Sequence, residues 1–291
     1  MNNDKQKHCK TFEIGDGMKS ICVSDRYFAE LEEDECTLLL YNPETNNIWI
    51  RITVLTFEPK DNIETKIFEN NINLAKKQSE AVEIISDKSY LFEFEQSEED
   101  GDQIITYHYD IDYKNHKILL SVTTYLENAT TNDFKSVLAE IPEYISSIQE
   151  ISLDKQNFFN LTYDDYHIIN KRCSEILEIT DELDNFHEKG KTLKAIQKFL
   201  DEEKFSAEKT FELQSLGLVF GDYIRFNYPD FQWAILHDQD GRYFCLNYAD
   251  RTITFFPQTM ISKRVENGEK FLVESLLKGI LKAAKEIVEN E

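Results

Sequence analysis

The strongest constraint on the first half of this chain is the alternation of apolar and polar side chains with a period of two. Short β-branched and aromatic runs occupy residues 20–24, 37–41, 48–57, 81–86, 90–95, 104–112 and 117–126. Runs of this length and composition predict strands. In the run 48–57, Ile or Val stands at every second position from Ile48 to Val54, and Trp49, Leu55 and Phe57 share the other face. That pattern predicts a central strand covered on both faces.

Two segments of this half change to a helical period. Apolar residues recur at three- and four-residue steps within 66–79, and a second helix is predicted over 133–151, where Pro142 indicates a break or a new start. The Asp100-Gly101 pair predicts a tight hairpin turn between two strands. We therefore expect residues 1–152 to form an α+β domain, an antiparallel-sheet α/β sandwich.

The second half begins with a stretch, 157–204, that has no strand signal. Its helical face is made by Tyr166, Ile169, Cys173, Ile176, Leu177, Thr180 and Leu183. Thr162 and Asp165 have the spacing of a capping box, with Asp in place of the usual Glu. These observations predict a helical connector over 153–204.

Residues 205–291 predict a smaller α+β domain. A helix is expected over 207–220, followed by strands at 231–237, 243–248 and 252–256 and by two further helices. The last helix, 271–288, sets eight aliphatic side chains along one stripe: Leu272, Leu276, Leu277, Ile280, Leu281, Ala284, Ile287 and Val288. A stripe of this kind predicts a helix docked on a core.

Charge is the second constraint. The 291 residues carry 55 acidic and 32 basic side chains, a formal net charge of −23. Residues 1–150 contribute 14 basic and 30 acidic side chains, a net −16, and residues 151–291 contribute 18 and 25, a net −7. Such a field repels phosphate backbones and anionic lipid headgroups, so nucleic acid and membrane surfaces are excluded as expected partners.

The expected location is the cytoplasm. The first ten residues are polar and lack the apolar core of a secretory signal, and no run approaches the roughly 18 apolar residues of a spanning helix. The five cysteines, an odd number, are scattered without a Cys-x-x-Cys pair, which predicts reduced thiols: Cys9, Cys22, Cys36, Cys173 and Cys245.

A resemblance to a known family is confined to the second half. The segment 217–222 (GLVFGD), then Trp233, then the Asp240-Gly241-Arg242 turn and then 256–264 (FPQTMISKR) resemble an uncharacterised bacterial family, domain of unknown function 3806, over about residues 205–279. Its signature residues here, which we expect to be structural, are Gly217, Gly221, Asp222, Trp233, Asp240, Gly241, Arg242, Pro257, Met260 and Arg264. The family has no established activity, so the resemblance implies an architecture and no mechanism.

A second resemblance concerns residues 11–150. The order of the strands and the segment 38–57 (LLLYNPETNNIWIRITVLTF) are similar to small α/β sandwiches of the PsbP and DcrB kind. Proteins of that shape are commonly non-enzymatic adaptors, and related modules recur beside bacterial toxin secretion systems.

Motifs that bind phosphate or calcium are present only in part. The tripeptide Gly190-Lys191-Thr192 matches the last residues of a phosphate-binding loop, but Asn185 stands where that loop needs its first Gly. A helix C-cap at Gly190 is therefore the better interpretation. Asp238, Asp240 and Gly241 imitate part of a calcium loop. Its first ligand position holds Leu236, so a β-hairpin is expected there, with Arg242 paired to Asp222 or Asp240.

The sequence offers only weak candidates for a catalytic or metal-binding group of side chains. His108, Asp110 and Asp112 fall on one face of a predicted strand and could chelate a metal, but a half-solvated strand shows the same pattern. Cys173 with His167 or His187 lacks the spacing that brings a Cys and a His together. We therefore predict no catalytic, metal or cofactor site, and no cofactor.

Charge and resemblance together predict a non-enzymatic protein-binding module with a basic partner, such as an immunity protein or adaptor for a toxin or effector. The densest acidic cluster, and hence the candidate partner-binding site, is Glu32, Glu33, Asp34 and Glu35. Two alternatives stay open: an enzyme whose site is assembled from scattered carboxylates and histidines, and a sensing module that binds a small ligand between its two domains. The oligomeric state is not indicated.

Overall fold

A computed structural model describes residues 9–15, 17–34, 36–45, 47–55, 82–85, 88–113, 116–179, 191–249 and 253–290. The chain divides into two compact units, Met1–Ser152 and Leu153–Glu291. Both units mix helices with antiparallel sheets, which confirms the α+β class predicted from the sequence. No helix in the described ranges has the length and apolarity needed to cross a membrane.

The first unit is built mainly from strands. Its strands are β1 (Cys9–Ile14), β2 (Lys19–Ser24), β3 (Phe28–Leu31), β4 (Thr37–Tyr41), β5 (Ile48–Leu55), β6 (Val82–Ile85), β7 (Lys88–Glu99), β8 (Asp102–Tyr113), β9 (His116–Tyr125) and β10 (Gln149–Glu150). Helix α1 (Asn132–Ser147) follows a 3-10 turn at Leu126–Asn128. The strands form a seven-stranded sheet in the order β3-β4-β5-β9-β8-β7-β6 and a three-stranded sheet in the order β1-β2-β10.

The core of this unit lies on one face of the seven-stranded sheet. In β5, Ile50 and Ile52 are fully buried, while Trp49 and Arg51, which point to the other face, are half-buried. The predicted alternation and the central position of this strand are confirmed, since β4 and β9 pair with its two edges. The second face of β5 is less completely covered than the sequence indicated.

Helix α1 closes the same core and continues through Pro142. The predicted break is therefore wrong. Pro142 is exposed, while Ile141 and Tyr144 beside it are buried, so packing holds the helix together although the ring removes one backbone hydrogen bond. The helix ends at Ser147, not at residue 151, because Gln149 and Glu150 pair with β2.

The predicted hairpin turn is confirmed between β7 and β8. Glu99 pairs with Asp102, which leaves Asp100 and Gly101 as a two-residue loop with φ values of 53° and 90°. Two positive φ values are typical of the type I′ turn, whose twist matches that of the flanking strands. The helix predicted over 66–79 lies outside the described residues.

The second unit surrounds one buried helix. Its helices are α2 (Tyr163–Glu178), α3 (Lys191–Asp201), α4 (Thr210–Asn227), α5 (Pro257–Glu266) and α6 (Val273–Asn290). Its sheet has the order β11 (Asn157–Phe159), β12 (Phe231–Asp238), β13 (Gly241–Tyr248) and β14 (Thr254–Phe255). Helix α4 packs against α2, α3, α5 and β12, and so forms the centre of the unit.

Two expectations for the second unit are wrong in detail. Residues 157–159 form strand β11, although three residues are too few to give a recognisable alternation. The stripe of the last helix is narrower than expected, since Leu272 precedes the helix and is 62% exposed and Ile287 is 41% exposed. Among residues 273–287 of α6, whose burial is described, the buried side chains are Val273, Leu277, Ile280 and Ala284.

We expect the substitution Pro142→Ala to raise the free energy of unfolding of the first unit by about 1–2 kcal/mol. Alanine restores the N–H that the helix interior lacks and relieves the ring's clash with the preceding turn, and part of the gain is offset by a more flexible unfolded chain. Urea denaturation followed by circular dichroism measures the change. Ser136→Ala, also exposed on α1, is the control, with an expected change below about 0.5 kcal/mol. Equal or lower stability of Pro142→Ala contradicts this account.

Candidate functional site

The acidic cluster singled out in the sequence lies in the link between β3 and β4, and two of its carboxylates have local partners. Asp34 accepts hydrogen bonds from the backbone N–H groups of Cys36 (3.0 Å) and Thr37 (2.8 Å) and from the Thr37 hydroxyl (2.7 Å). These bonds hold the pKa of Asp34 below its ordinary value. Glu32 pairs with Arg51 of β5 at 2.6 Å. Glu33 is exposed, and Glu35 lies outside the described residues.

A stronger concentration of uncompensated charge lies on the β7–β8 hairpin. Residues 93–103, which we call the acidic hairpin, are all exposed and contain no Lys or Arg. They carry six carboxylates: Glu93, Glu95, Glu98, Glu99, Asp100 and Asp102. From the sequence only a turn was predicted in this segment, although its carboxylates can be counted there.

One face of the acidic hairpin extends this negative charge onto β8. Glu93 lies opposite His108 in the ladder, and Glu95 Oε1 is 3.3 Å from His108 Nε2. Burial, and then the charge of Glu93, raise the pKa of Asp110, whereas His108 and Lys117 act in the opposite direction. The raised pKa of Asp110 therefore results first from its burial, and Glu93 adds to it.

The metal site considered for β8 is not assembled. His108, Asp110 and Asp112 share one face as the alternation predicted, but His108 contacts Glu95, and Asp112 pairs with Lys117 at 3.0 Å. Among the described residues no group of three or more His, Cys, Asp or Glu side chains could hold a metal ion.

The opposite face of the acidic hairpin is aromatic. Phe94, which is 60% exposed, stacks on Tyr107 with ring centroids 5.8 Å apart and an interplanar angle of 27°. Phe92 also contacts Tyr107, at 5.6 Å, and Tyr107 contacts Phe134 of α1 at 5.4 Å. This row of rings ties the hairpin to the core while leaving Phe94 accessible.

Several signature residues of the second unit form a packing junction. A Cβ on Gly217 would lie 2.5 Å from the Pro257 carbonyl oxygen, and one on Gly221 would lie 2.5 Å from the Trp233 ring. Only glycine allows α4 to approach α5 and β12 this closely. This geometry gives Gly217 and Gly221 a packing role in the second unit.

The buried carboxylates of the same unit are paired. Asp222 Oδ1 accepts hydrogen bonds from Arg225 Nε (2.9 Å) and Trp233 Nε1 (3.3 Å). Arg242 donates two hydrogen bonds, both of 2.9 Å, to Asp165. The ion pair predicted for Arg242 thus forms with a carboxylate that the sequence did not indicate.

Asp165 is also part of the predicted capping box, which is confirmed. Its carboxylate accepts the Thr162 N–H at 3.0 Å, and the Thr162 hydroxyl accepts the Asp165 N–H at 3.3 Å. The same side chain therefore caps α2 and holds β13 through Arg242.

The remaining signature residues hold turns and helix ends. The predicted β12–β13 hairpin is confirmed, but its two-residue loop is Gln239 and Asp240, since Gly241 begins β13 and pairs with Asp238. The Asp240 N–H bonds to the Asp238 carboxylate at 3.0 Å. Arg264 donates to the Met260 carbonyl at 2.7 Å.

The other candidates lie on α2 and α3. Burial raises the pKa of the Cys173 thiol, and His167 is exposed on the same helix. Lys191 and Thr192 open α3, with Thr192 buried, while Gly190 and His187 lie outside the described residues.

A groove of about 660 Å³ lies within the second unit, between α3 and the link that joins α5 to α6. Gln197 fixes its wall, accepting the Val273 N–H at 2.8 Å and donating to the Phe271 carbonyl at 3.3 Å. Three carboxylates and one lysine are among the charged residues that line it: Asp201, Glu203, Glu269 and Lys270. This volume is in the range of small-molecule sites, about 300–1,000 Å³.

Comparison with known proteins shows that part of this unit is similar to a family. Residues 192–276 match the family described as domain of unknown function (DUF3806), which confirms the resemblance derived from the signature residues. The match begins inside the segment predicted as a helical connector. No curated protein matches the chain.

Two solved structures are similar. A crystal structure from Bacteroides thetaiotaomicron VPI-5482 is 19% identical, with a TM-score of 0.71, and the match covers 93% of this chain and 98% of that one. At that identity the likeness shows the fold alone. The solution structure of cyanobacterial PsbP (CyanoP) from Synechocystis sp. PCC 6803 is 8% identical over 52% of this chain and 97% of that one, with a TM-score of 0.27, too low to establish a common fold.

We expect Gly217→Ala to lower the free energy of unfolding of the second unit by about 3 kcal/mol, because its methyl group would overlap the backbone of α5. Gly279→Ala on α6 is the matched control. Its added Cβ meets no atom within 4 Å, so the better helix propensity of alanine should stabilise the unit by about 0.5–1 kcal/mol. Thermal and chemical denaturation measure both changes, and a neutral Gly217→Ala would contradict the packing junction.

Proposed function

We propose that this chain is a non-enzymatic binding protein for a basic protein partner, of the kind that an immunity protein or adaptor provides for a toxin or effector. The observation that carries this proposal is the acidic hairpin, with six exposed carboxylates and no basic residue between positions 93 and 103. In this proposal the protein acts in the cytoplasm.

The physical basis is electrostatic complementarity. Exposed charges of one sign accelerate the encounter with an oppositely charged partner and suppress binding to anionic ones. The acidic hairpin lies in the more acidic part of the chain, since residues 1–150 account for −16 of the net charge of −23. The electrostatic field of the hairpin and that of the whole chain therefore both favour a partner with a cationic surface.

The acidic hairpin suits this role better than the cluster that begins at Glu32. Glu32 is neutralised by Arg51 and Asp34 is engaged by three hydrogen-bond donors, so both would lose existing contacts on binding a partner. The hairpin carboxylates have few such contacts to lose. Glu95 and Glu98 contact only the half-exposed His108 and the exposed Gln103 among the described residues.

We expect neutralisation of the acidic hairpin to weaken the complex. The partner is first captured on the immobilised protein at low and high salt and identified by mass spectrometry. Its Kd is then compared between the native protein and a variant with Glu93→Gln, Glu95→Gln, Glu98→Gln and Glu99→Gln. The loss of four exposed charge contacts at about 0.5 kcal/mol each predicts a Kd higher by about 30-fold at low salt, and less at high salt.

The control carries the same change in net charge on exposed sites of the second unit: Glu175→Gln, Glu178→Gln, Glu208→Gln and Glu274→Gln. Its Kd should change by less than about threefold, since these sites contribute only to the long-range field. Equal losses in the two variants, or the failure to retain any basic protein at either ionic strength, would overturn the proposal.

A second candidate function is the binding of a small cationic ligand, favoured by the groove of about 660 Å³ and its carboxylates. With spermidine as the probe, we expect calorimetry to show binding that the double variant Asp201→Asn, Glu269→Gln weakens at least about fivefold, through the loss of two charge-assisted contacts. The double variant Glu208→Gln, Glu274→Gln makes the same change in charge outside the groove and should leave binding unchanged. If the two variants weaken spermidine binding equally, the binding is a nonspecific electrostatic attraction and the groove is not its site.

A further inference from the structure

Two of the five cysteines lie beside each other on neighbouring strands of the first unit. In the ladder between β1 and β2, Cys9 is opposite Ser24 and Cys22 is opposite Thr11. Residues two positions apart on a strand share a face, as do residues opposite each other, so all four side chains lie on one face of the strand pair. The two thiols are therefore diagonal neighbours, and the Cys22 thiol is hydrogen-bonded to Cys9.

Main-chain hydrogen bonds on the far side of β2 hold Cys22 in this position. The Cys22 N–H donates to Ser147 Oγ at 2.9 Å, and the Cys22 carbonyl accepts from the same hydroxyl at 3.0 Å. Because these main-chain groups point toward α1 and away from β1, Cys22 and Thr11 form a non-hydrogen-bonded pair. Cys9 and Ser24, two positions along the ladder, form another. Side chains approach more closely at pairs of this type, which favours contact between the two thiols.

The two thiols differ in their environment. Cys9 is exposed and is the first residue of β1, whereas Cys22 is half-buried. Burial, and then the hydrogen bond to Cys9, raise the pKa of the Cys22 thiol to about 12. Cys22 therefore keeps its proton at neutral pH, and an oxidant in solution meets Cys9 first. An exposed thiol with a second thiol beside it is the arrangement in which a first oxidation product goes on to a disulfide.

The other three cysteines provide internal comparisons. Cys173 and Cys245 are buried in the second unit, where burial raises the pKa of both thiols. Buried thiols of raised pKa react slowly with oxidants. Cys36 is exposed in the link between β3 and β4. It therefore serves as a reference for an exposed cysteine outside the pair.

We propose that Cys9 and Cys22 are a redox-active dithiol, which hydrogen peroxide converts into a reversible disulfide between β1 and β2. The Cys9 sulfur attacks one peroxide oxygen, the O–O bond breaks, and a sulfenic acid and one water form. The Cys22 sulfur then displaces the hydroxyl group of the sulfenic acid, which leaves with the Cys22 proton as a second water. The two thiols thus supply the two electrons that reduce the peroxide. This inference goes beyond the proposed function and does not depend on it.

The diagonal placement makes this disulfide labile. Diagonal Cα atoms on neighbouring strands are about 7–8 Å apart, whereas disulfides usually join Cα atoms about 4.4–6.8 Å apart. Cys9 must therefore move toward β2, which is easier at the first residue of a strand than in its interior. A strained or exposed disulfide is more easily reduced, so thiol reductants restore the dithiol.

The test follows each cysteine of the full-length protein by mass spectrometry. The reduced protein is treated with hydrogen peroxide, the remaining thiols are alkylated, and trypsin then cleaves at the lysines between Cys9 and Cys22, which places them in the peptides 8–10 and 20–26. We expect these two peptides to be disulfide-linked at a yield at least about tenfold above that of any link to Cys36, because thiols held side by side react at a high effective concentration. Dithiothreitol should remove the link.

Serine variants separate the roles of the two thiols. Cys22→Ser removes the thiol that completes the disulfide, so dimedone should label the sulfenic acid of Cys9 at least about fivefold more than in the native protein. Cys9→Ser should abolish the link, and Cys36→Ser, the matched control at another exposed cysteine, should leave its yield unchanged. The linked peptides are measured in the native protein, so the main result does not depend on the folding of a variant. Unlinked Cys9 and Cys22 after peroxide treatment, or a Cys9–Cys36 link of equal yield, overturns the proposal.

Discussion

The uninterrupted ladder between β7 and β8 is the interaction on which the proposed binding surface depends. It holds residues 93–99 of β7, all of them exposed, against β8 as far as the turn at Asp100 and Gly101. The rings of Phe94, Tyr107 and Phe134 then connect that strand to the helix that closes the core. Because aromatic pairs of this kind contribute about 0.5–1.5 kcal/mol beyond their buried area, the acidic hairpin is held in place before any partner arrives. Such preorganisation lowers the entropy that binding must overcome.

The two units use their carboxylates in different ways. In the second unit Asp165 and Asp222 are buried, and each is matched by an arginine and further donors, so their charges connect helices to strands. In the first unit the hairpin carboxylates are exposed and face few cations. A buried charge that is paired stabilises only while its partner is present, whereas an exposed unpaired charge contributes to long-range attraction. The paired carboxylates therefore help to hold the second unit together, and the binding proposal rests on the first.

Patterns confined to neighbouring residues were the ones that the sequence revealed. The alternation around Ile50, the Asp100-Gly101 turn and the Thr162 cap each depend on side chains within a few positions, and all three are confirmed. Features that depend on distant contacts were missed. The continuity of the helix at Pro142 results from buried neighbours on both sides, and Arg242 meets Asp165 across 77 positions of the chain. No local pattern indicates either of them.

The candidate site was missed for a related reason. The run of acidic residues that begins at Glu32 was predicted as the site because the density of charge along the chain is visible in the sequence. The pairing of Glu32 with Arg51 and of Asp34 with backbone N–H groups is not visible there. The acidic hairpin is less dense, since Phe94 and Gln96 interrupt its carboxylates. The exposure of its residues 93–103 is a property of the folded sheet and not of the hairpin's own sequence.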